Sequence, residues 1–130
     1  MVHLDDDSRK FKEQQRVLNF LIHACDLSTP TRKFDTLKKW TYLLFDEFFQ
    51  QGDVEKAHEK PVSFLCDRET VVVAREQPGF LNFICNPIWT LVAEIIPEAE
   101  VAHARLQENT QNWKDYTETE EDKRVYEKPL

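Results

Sequence analysis

Apolar side chains recur at steps of three or four residues along much of the chain, and this spacing constrains the fold more than any other feature. The clearest run comprises Leu37, Trp40, Leu44, Phe45, Phe48 and Phe49. Residues at such steps lie along one side of an α-helix, which can then pack against other elements. With only 2 glycines in 130 residues, the composition also suits a helix-rich protein. We therefore predict an all-α fold and expect Trp40 and Phe48 to be buried in its core.

Another helix is predicted ahead of this run. The acidic residues 5–7 and Ser8 favour a helix start, because carboxylates and hydroxyls stabilise the exposed N–H groups there. Its apolar face comprises Phe11, Leu18, Leu21, Ile22 and Cys25. Pro30 disfavours helical angles at Thr29, so we expect this helix to end in a bend just after Asp26.

The chain beyond the central run is also predicted to be mainly helical. Gly52 is expected to end the central helix, since glycine commonly follows a helix C-terminus. The segment 68–74 is ambiguous, because its three consecutive valines favour a strand. Residues 78–96 are apolar on most sides, which predicts a buried helix with a kink at Pro87. Pro97 suits the first position of a last helix.

The distribution of charge divides the chain and limits its partners. Residues 117–130 contain many charged and few apolar side chains, so we expect a solvated or partner-bound tail after a domain formed by residues 1–116. The net charge of −7 opposes binding to nucleic acids or anionic lipid, which rely on clustered cations. No apolar stretch approaches the roughly 20 residues of a membrane span, and the N-terminus does not resemble a secretory signal. We expect no nucleic-acid partner, no membrane insertion, and a cytoplasmic or other non-secretory location.

Few side chains suggest catalysis by their spacing alone. The 3 cysteines, Cys25, Cys66 and Cys85, lie far apart among apolar residues, which favours reduced core thiols over metal ligands. Asp26 follows a helix end, where a carboxylate can cap the turn or hold a divalent metal. His23 lies one turn earlier and is either a second metal ligand or, more simply, a half-buried histidine bonded to a neighbour.

Five short blocks stand in a characteristic order. They are residues 25–31 (CDLSTPT), 40–41 (WT), 46–53 (DEFFQQGD), 65–68 (LCDR) and 76–80 (EQPGF). Together, within residues 18–113, they resemble the C-terminal half of the catalytic domain of class I 3',5'-cyclic nucleotide phosphodiesterases. The upstream half of that family, which supplies histidines, a His-Asp pair and a histidine proposed as general acid, has no counterpart here. The resemblance implies a helical fold, including a helix over residues 68–74.

The resemblance implies that Asp26 is a metal ligand. In that family a pair of divalent metals, zinc and magnesium, provides a hydroxide that attacks the cyclic phosphate and stabilises the charge on its oxygens. A single carboxylate does not hold two metals. We therefore expect the metals in the complete family domain and none bound by this chain alone.

The resemblance also implies a pocket for the nucleobase. Gln77 matches a glutamine whose amide pairs with the purine edge, and Phe80 matches a phenylalanine that stacks on the ring. The positions that match the pocket walls are Trp40, Leu44, Phe48, Leu65 and Thr29. Thr29 is shorter than the asparagine that many members carry there. Pro78 disfavours helical angles at Gln77, which would give its amide a different direction.

Two functions are compatible with these features. In the first, the chain is the C-terminal half of an enzyme that hydrolyses cyclic AMP or cyclic GMP to the 5'-monophosphate, and it is inactive by itself. Its partner is then the cyclic nucleotide. In the second, the chain is a non-catalytic, phosphodiesterase-like subunit whose packing surface binds other protein subunits. The motifs favour the first interpretation, and the length of 130 residues favours the second.

Overall fold

The computed structural model describes residues 6–127, a range in which the backbone is mainly helical and contains no strand. The all-α prediction is confirmed. The helices are α1 (Asp6–Asp26), α2 (Phe34–Ala57), α3 (Val73–Phe80), α4 (Asn86–Ile95), α5 (Glu100–Asp115) and α6 (Glu120–Arg124). A π-helical turn, Leu81–Cys85, joins α3 to α4, and 3₁₀ turns at Thr29–Thr31 and Pro97–Ala99 precede α2 and α5. Each helix in this range is too short or too polar to cross a lipid bilayer.

The N-terminal helix ends where the sequence predicts. Asp26 is the last residue of α1, and the bend after it leads into the 3₁₀ turn Thr29–Thr31, which contains Pro30. Residue 5, part of the predicted helix start, lies outside the described residues.

The apolar face of α1 is mostly uncovered. Near the C-terminal end of the helix, Ala24 is buried and Phe20 packs against a cluster formed with α4 and α5. On the predicted apolar face, however, Phe11 is 66% exposed and Ile22 is 71% exposed. Cys25 is exposed as well, so the prediction of a core thiol at this position is wrong. The reason is that α1 meets the rest of the chain along a short length, which leaves most of its face in water.

One side of α2 forms the main core. Its buried residues are Leu37, Thr41, Tyr42, Phe45, Phe49 and Gly52. The apolar members pack in one cluster with Val73 of α3, Leu81 of the π turn and Trp113 of α5. Trp40 is 62% exposed, whereas Phe48 is half-buried and packs against this cluster. The prediction that both lie in the core is therefore wrong for Trp40. Successive residues of an α-helix point about 100° apart, so Trp40 lies beside the buried stripe that contains its neighbour Thr41.

Gly52 does not end α2, contrary to the expectation from the sequence, and the helix continues to Ala57. Instead, this glycine allows a close approach of the following loop. A side-chain carbon at position 52 would lie 1.8 Å from the backbone oxygen of Cys66. The loop is held in addition by Arg68, whose guanidinium pairs with the Asp53 carboxylate at 2.5 Å. Glycine is required here for space rather than for an unusual backbone angle.

The start of α3 and its proline both differ from the predictions. α3 begins at Val73, so the helix expected over residues 68–74 is wrong for residues 68–72, which form a turn and a short link. Pro78 lies inside α3, and the expectation of non-helical geometry at Gln77 is also wrong. Packing of both flanks of α3 on the core outweighs the local preference of the residue before a proline.

The π turn and α4 are more exposed than their composition predicts. Trp89 and Val92 are buried, but Phe83 is 76% exposed and Leu91 is 44% exposed, so this stretch is not buried on most sides. The helix is irregular near Pro87, where a kink was predicted. The π turn ends at Cys85, and Pro87 lies at the start of α4, which begins at Asn86. A proline that lacks an N–H group favours such local widening of a helix.

The C-terminal segment packs on the core, which corrects the prediction of a solvated tail for residues 119–126. Tyr126 is 7% exposed, and its ring centroid lies 6.1 Å from that of Tyr42 and 5.0 Å from that of Phe49. The adjacent Val125 packs against the same cluster. These apolar side chains anchor a segment whose composition is otherwise charged.

Asp122 secures this segment. Its carboxylate accepts hydrogen bonds from the Tyr116 hydroxyl at 2.5 Å and from the Thr119 backbone at 2.8 Å, and the Lys38 ammonium lies 4.0 Å away. The Thr119 side chain in turn accepts from the Asp122 backbone, which completes a capping box at the start of α6. Burial opposes ionisation of Asp122, but these hydrogen bonds outweigh it and lower the pKa of the carboxyl.

The Gly52→Ala substitution should destabilise the protein, because the added methyl group meets backbone atoms of Cys66 that cannot move independently. We expect the free energy of unfolding to fall by about 1 to 3 kcal/mol, as for other overpacked sites. Gly79→Ala is the matched control, since nothing lies within 4 Å of the added carbon there. The control should be neutral or slightly stabilising, because alanine favours a helix over glycine. Equal effects of the two substitutions in urea unfolding would contradict the close approach.

Replacing Asp122 with Asn should reduce stability in a pH-dependent way. The folded-state pKa is lowered, so the ionised carboxylate adds stability that is complete above the unfolded-state pKa of about 4 and is lost as the pH falls through the folded-state value. We expect the wild type to be more stable than Asp122→Asn at neutral pH, with a difference that shrinks below about pH 5. Urea unfolding of both proteins over this range measures the difference. A constant difference would show that the carboxylate charge plays no part.

Candidate functional site

The amide of Gln77 is the most unusual polar group of the predicted pocket. Gln77 lies in α3 and is 7% exposed. Among residues 6–127 its side chain has no hydrogen-bond partner. In the same range, the polar side-chain atoms that lack both a partner and contact with solvent are Tyr42 Oη and Trp113 Nε1. The Gln77 amide is not one of them, so it keeps a path to solvent. The Gln77 amide is thus free to exchange its contact with solvent for hydrogen bonds to a ligand, and a ligand that covers it without supplying those bonds would lose free energy.

Asn109 provides an internal comparison. Its side chain is 1% exposed, and its amide nitrogen donates to the backbone oxygens of Pro30 at 2.8 Å and of Arg32 at 2.7 Å. This amide therefore has a structural role that links α5 to the turn before α2. The two buried amides of this range therefore differ: the Asn109 amide has backbone partners, whereas the Gln77 amide has none.

Phe80 follows Gln77 by three residues, about one helical turn, so both side chains project from neighbouring points of α3. Its ring is exposed, as are Phe83 and Ile84 beyond it. An aromatic face that is open to solvent can stack on a planar ring. The end of α3 and the π turn thus combine a polar group that lacks a partner with an open apolar surface.

The predicted wall residues fall into two groups. Phe48 and Leu65 are both half-buried and pack against the main core cluster. Leu65 has a φ angle of 65°, which is strained for a bulky side chain and costs about 1 to 3 kcal/mol. Trp40 and Leu44 are 62% and 46% exposed on the outer side of α2. The structure therefore brings Phe48 and Leu65 to one cluster and leaves Trp40 and Leu44 open.

Thr29 and Trp40 line a common cleft of about 550 Å³. The other lining residues are Ser28, Arg32, Lys33, Thr36 and Arg105. The cations of this cleft were not predicted from the sequence. Arg32 and Lys33 are adjacent in the chain, but Arg105 comes close to them only because α5 packs beside the turn. A local sequence pattern therefore does not predict this group of three cations.

Asp26 lines a different depression from the predicted pocket residues. It is exposed at the end of α1, in a shallow depression that it shares with Asn19, Ile22, His23 and Cys25. His23 is also exposed, so the expectation of a half-buried histidine bonded to a neighbour is wrong. Within residues 6–127 no three His, Cys, Asp or Glu side chains are grouped so as to hold a metal ion. The donors described for this chain therefore do not fit a centre with two metals.

The buried thiols differ from Cys25. Cys66 and Cys85 are buried, as predicted. Burial raises the pKa of Cys66, and it raises the pKa of Cys85 to about 12. Both are packing residues at neutral pH, because the thiol form is not nucleophilic.

Comparison with known proteins identifies the family of this helical chain. A family model described as 3'5'-cyclic nucleotide phosphodiesterase matches residues 2–106. The chain belongs to this phosphodiesterase family. A 3',5'-cyclic-AMP phosphodiesterase, isoform F, of Drosophila melanogaster is 36% identical over 100 residues, which are 76% of this chain and 15% of the relative. A dual specificity calcium/calmodulin-dependent 3',5'-cyclic nucleotide phosphodiesterase 1 of the same organism is 39% identical over 84 residues, which are 65% of this chain and 10% of the relative.

The fold of this phosphodiesterase chain is similar to that of a solved structure, LmjPDEB1 in complex with IBMX. The TM-score is 0.70 at 26% sequence identity, and the match covers 85% of this chain and 32% of the solved chain. The chain thus spans a small part of its curated relatives and about a third of the solved protein.

The exposure of the cysteines predicts their reactivity. Cys25 is exposed, whereas Cys66 and Cys85 are buried with raised pKa values. We expect an aromatic disulfide reagent at neutral pH to modify one thiol rapidly and the others only on unfolding. Cys25→Ser should abolish the rapid phase, and Cys85→Ser should leave it intact. Rapid modification of more than one thiol would show that the core around Cys85 is open.

Proposed function

We propose that this chain supplies the nucleobase-binding part of a phosphodiesterase domain that hydrolyses cyclic AMP or cyclic GMP to the 5'-monophosphate. The observation that carries this proposal is the buried Gln77 amide without a protein partner, one helical turn before the open ring of Phe80. Membership of the phosphodiesterase family supports it.

The two side chains suit a purine. A carboxamide carries both a donor and an acceptor, so Gln77 can pair with the edge of adenine in one orientation and of guanine in the other. The ring of Phe80 gives affinity for either base without selecting between them. One relative is named as a cyclic-AMP enzyme and another as a dual specificity enzyme, and the pocket chemistry is compatible with both.

Trp40, Leu44, Phe48, Leu65 and Thr29 are proposed as the walls of this pocket. Phe48 and Leu65 support it from the core side, because they pack against the main cluster. Trp40 and Leu44 present apolar surface from α2 that a ligand or another part of the domain would cover. The strained backbone of Leu65 is also typical of residues held in position for binding.

This chain is proposed to supply only one ligand, Asp26, for the metals of the family. Zinc and magnesium, when bound in a complete domain, activate water and stabilise charge on the phosphate. Asp26 is exposed at the end of α1 and would act as one ligand. The remaining ligands would lie outside residues 6–127, because the donors described there do not group into a metal site. We therefore assign no hydrolytic step to this chain and expect it to be inactive alone.

A second candidate function is a non-catalytic subunit of a larger assembly. The uncovered face of α1, which includes Phe11, Leu18 and Ile22, favours it, because such apolar surface is stabilised by packing against another element. The mass of the native polypeptide distinguishes the candidates. A mass several times that of the 15.5 kDa chain supports a complete enzyme, whereas a native mass near that value supports the subunit.

Gln77→Ala should weaken the binding of cyclic nucleotides by the native protein. Because the base edge then loses its partner, we expect a loss of about 1 to 3 kcal/mol in binding free energy. Equilibrium dialysis with labelled cyclic AMP and cyclic GMP measures it. Gln50→Ala is the matched control, since Gln50 is an exposed amide that bonds Asp46 within α2. Equal affinity of Gln77→Ala and the wild type would exclude this amide from base recognition.

A further inference from the structure

We propose that the cleft between the 3₁₀ turn, the start of α2 and α5 is a binding site for a phosphate group. This cleft is lined by Ser28, Thr29, Arg32, Lys33, Thr36, Trp40 and Arg105. The inference goes beyond the proposed function, because it requires neither Gln77 nor the metals, although Thr29 and Trp40 belong to both surfaces.

The charges of the cleft are the first support. The chain has a net charge of −7, yet the residues that line this cleft include three cations and no carboxylate. Within residues 6–127, the side chains of Arg32, Lys33 and Arg105 form no ion pair and no hydrogen bond. Like charges that share a cleft repel each other, and a bound anion removes this repulsion.

The donor groups of the cleft match a phosphate in particular. A guanidinium group has a planar set of N–H donors that pairs with two phosphate oxygens at once, and Arg32 and Arg105 provide two such groups. Lys33 is the N-cap residue of α2 and its side chain makes no capping hydrogen bond. The first N–H groups of this 24-residue helix therefore lack a side-chain cap, although Asp35 in the first turn offsets part of their positive potential. The hydroxyl groups of Ser28 and Thr36 supply further donors.

The geometry of the cleft is fixed by Asn109. Its amide bonds the backbone oxygens of Pro30 and Arg32, at 2.8 Å and 2.7 Å. Asn109 lies one helical turn after Arg105 on α5, so the same face of α5 holds the turn and carries the third cation. A site that is ordered before the ligand arrives loses less conformational entropy on binding.

Trp40 indicates what else the ligand contains. Its ring is 62% exposed at the edge of the cleft, whereas Trp89 and Trp113 are 8% and 1% exposed. An open indole beside a phosphate site can stack on the base of a nucleotide. We therefore expect a nucleoside 5'-monophosphate to bind more tightly than inorganic phosphate.

Tryptophan fluorescence of the whole chain tests the proposal, because Trp40 is the tryptophan most exposed to solvent among the described residues. The probes are inorganic phosphate, AMP and, as the ionic-strength control, sodium chloride. We expect saturable changes with phosphate and AMP, tighter binding of AMP, and no saturation with chloride. The double variant Arg32→Gln, Arg105→Gln should bind AMP at least about tenfold more weakly. Lys39→Gln removes an exposed neighbouring charge outside the cleft and should bind as the wild type does.

Further variants separate this site from the nucleobase pocket. Gln77→Ala should retain the binding of both inorganic phosphate and AMP, because Gln77 does not line the cleft. A loss of AMP binding in Gln77→Ala would assign the AMP response to the nucleobase pocket instead. If the double variant does not fold, the single variant Arg105→Gln carries the comparison, with circular dichroism as the folding check. Unsaturable responses, or equal weakening by Lys39→Gln and the arginine variants, would overturn the phosphate site. Equal affinities for AMP and inorganic phosphate would overturn the role given to Trp40.

Discussion

The packing of one side of α2 against α3, the π turn and α5 is the constraint on which the rest of the structure depends. Phe45 and Phe49 fill the centre of that contact and are 2% and 0% exposed. Gly52 extends it, because the missing side chain lets the loop around Cys66 lie against the helix. With this side buried, Trp40 and the outer face of α2 are directed to solvent. The main core thus determines which residues are available for binding.

The two buried amides, Asn109 and Gln77, differ in their hydrogen-bond partners. Asn109 has protein partners for its nitrogen and links α5 to the turn before α2, which also shapes the cationic cleft. Gln77 is nearly as well buried and has no partner among the described residues. Because this amide remains in reach of solvent, both its donor and its acceptor are available to a ligand. A nucleobase pocket at Gln77 and a phosphate site near Arg32 would recognise different parts of a nucleotide by different chemistry.

Local pattern predicted the helices, but it predicted poorly which sides they bury. The run that includes Trp40 and Phe48 spans more than one face of α2, and only tertiary packing decides that Trp40 is open. Gly52 was predicted to end α2, and this prediction is wrong. The glycine is needed because the loop around Cys66 lies against it, and such a tertiary contact leaves no pattern in the neighbouring sequence. The same holds for Tyr126, whose contribution to the core is hidden in a charged segment. The resemblance to phosphodiesterases supplied Gln77 and Phe80, whereas the cleft around Arg105 required the arrangement of α5.

The pairing of the Gln77 amide with a nucleobase is tested most directly by nuclear magnetic resonance of the side-chain amide groups. The native protein, labelled with nitrogen-15, is titrated with cyclic AMP and then with cyclic GMP. We expect the Gln77 amide resonances to shift on saturation, because a hydrogen bond to the base replaces contact with solvent, while those of Asn109 stay in place. A saturable response elsewhere in the protein with an unchanged Gln77 resonance would contradict base recognition by this amide.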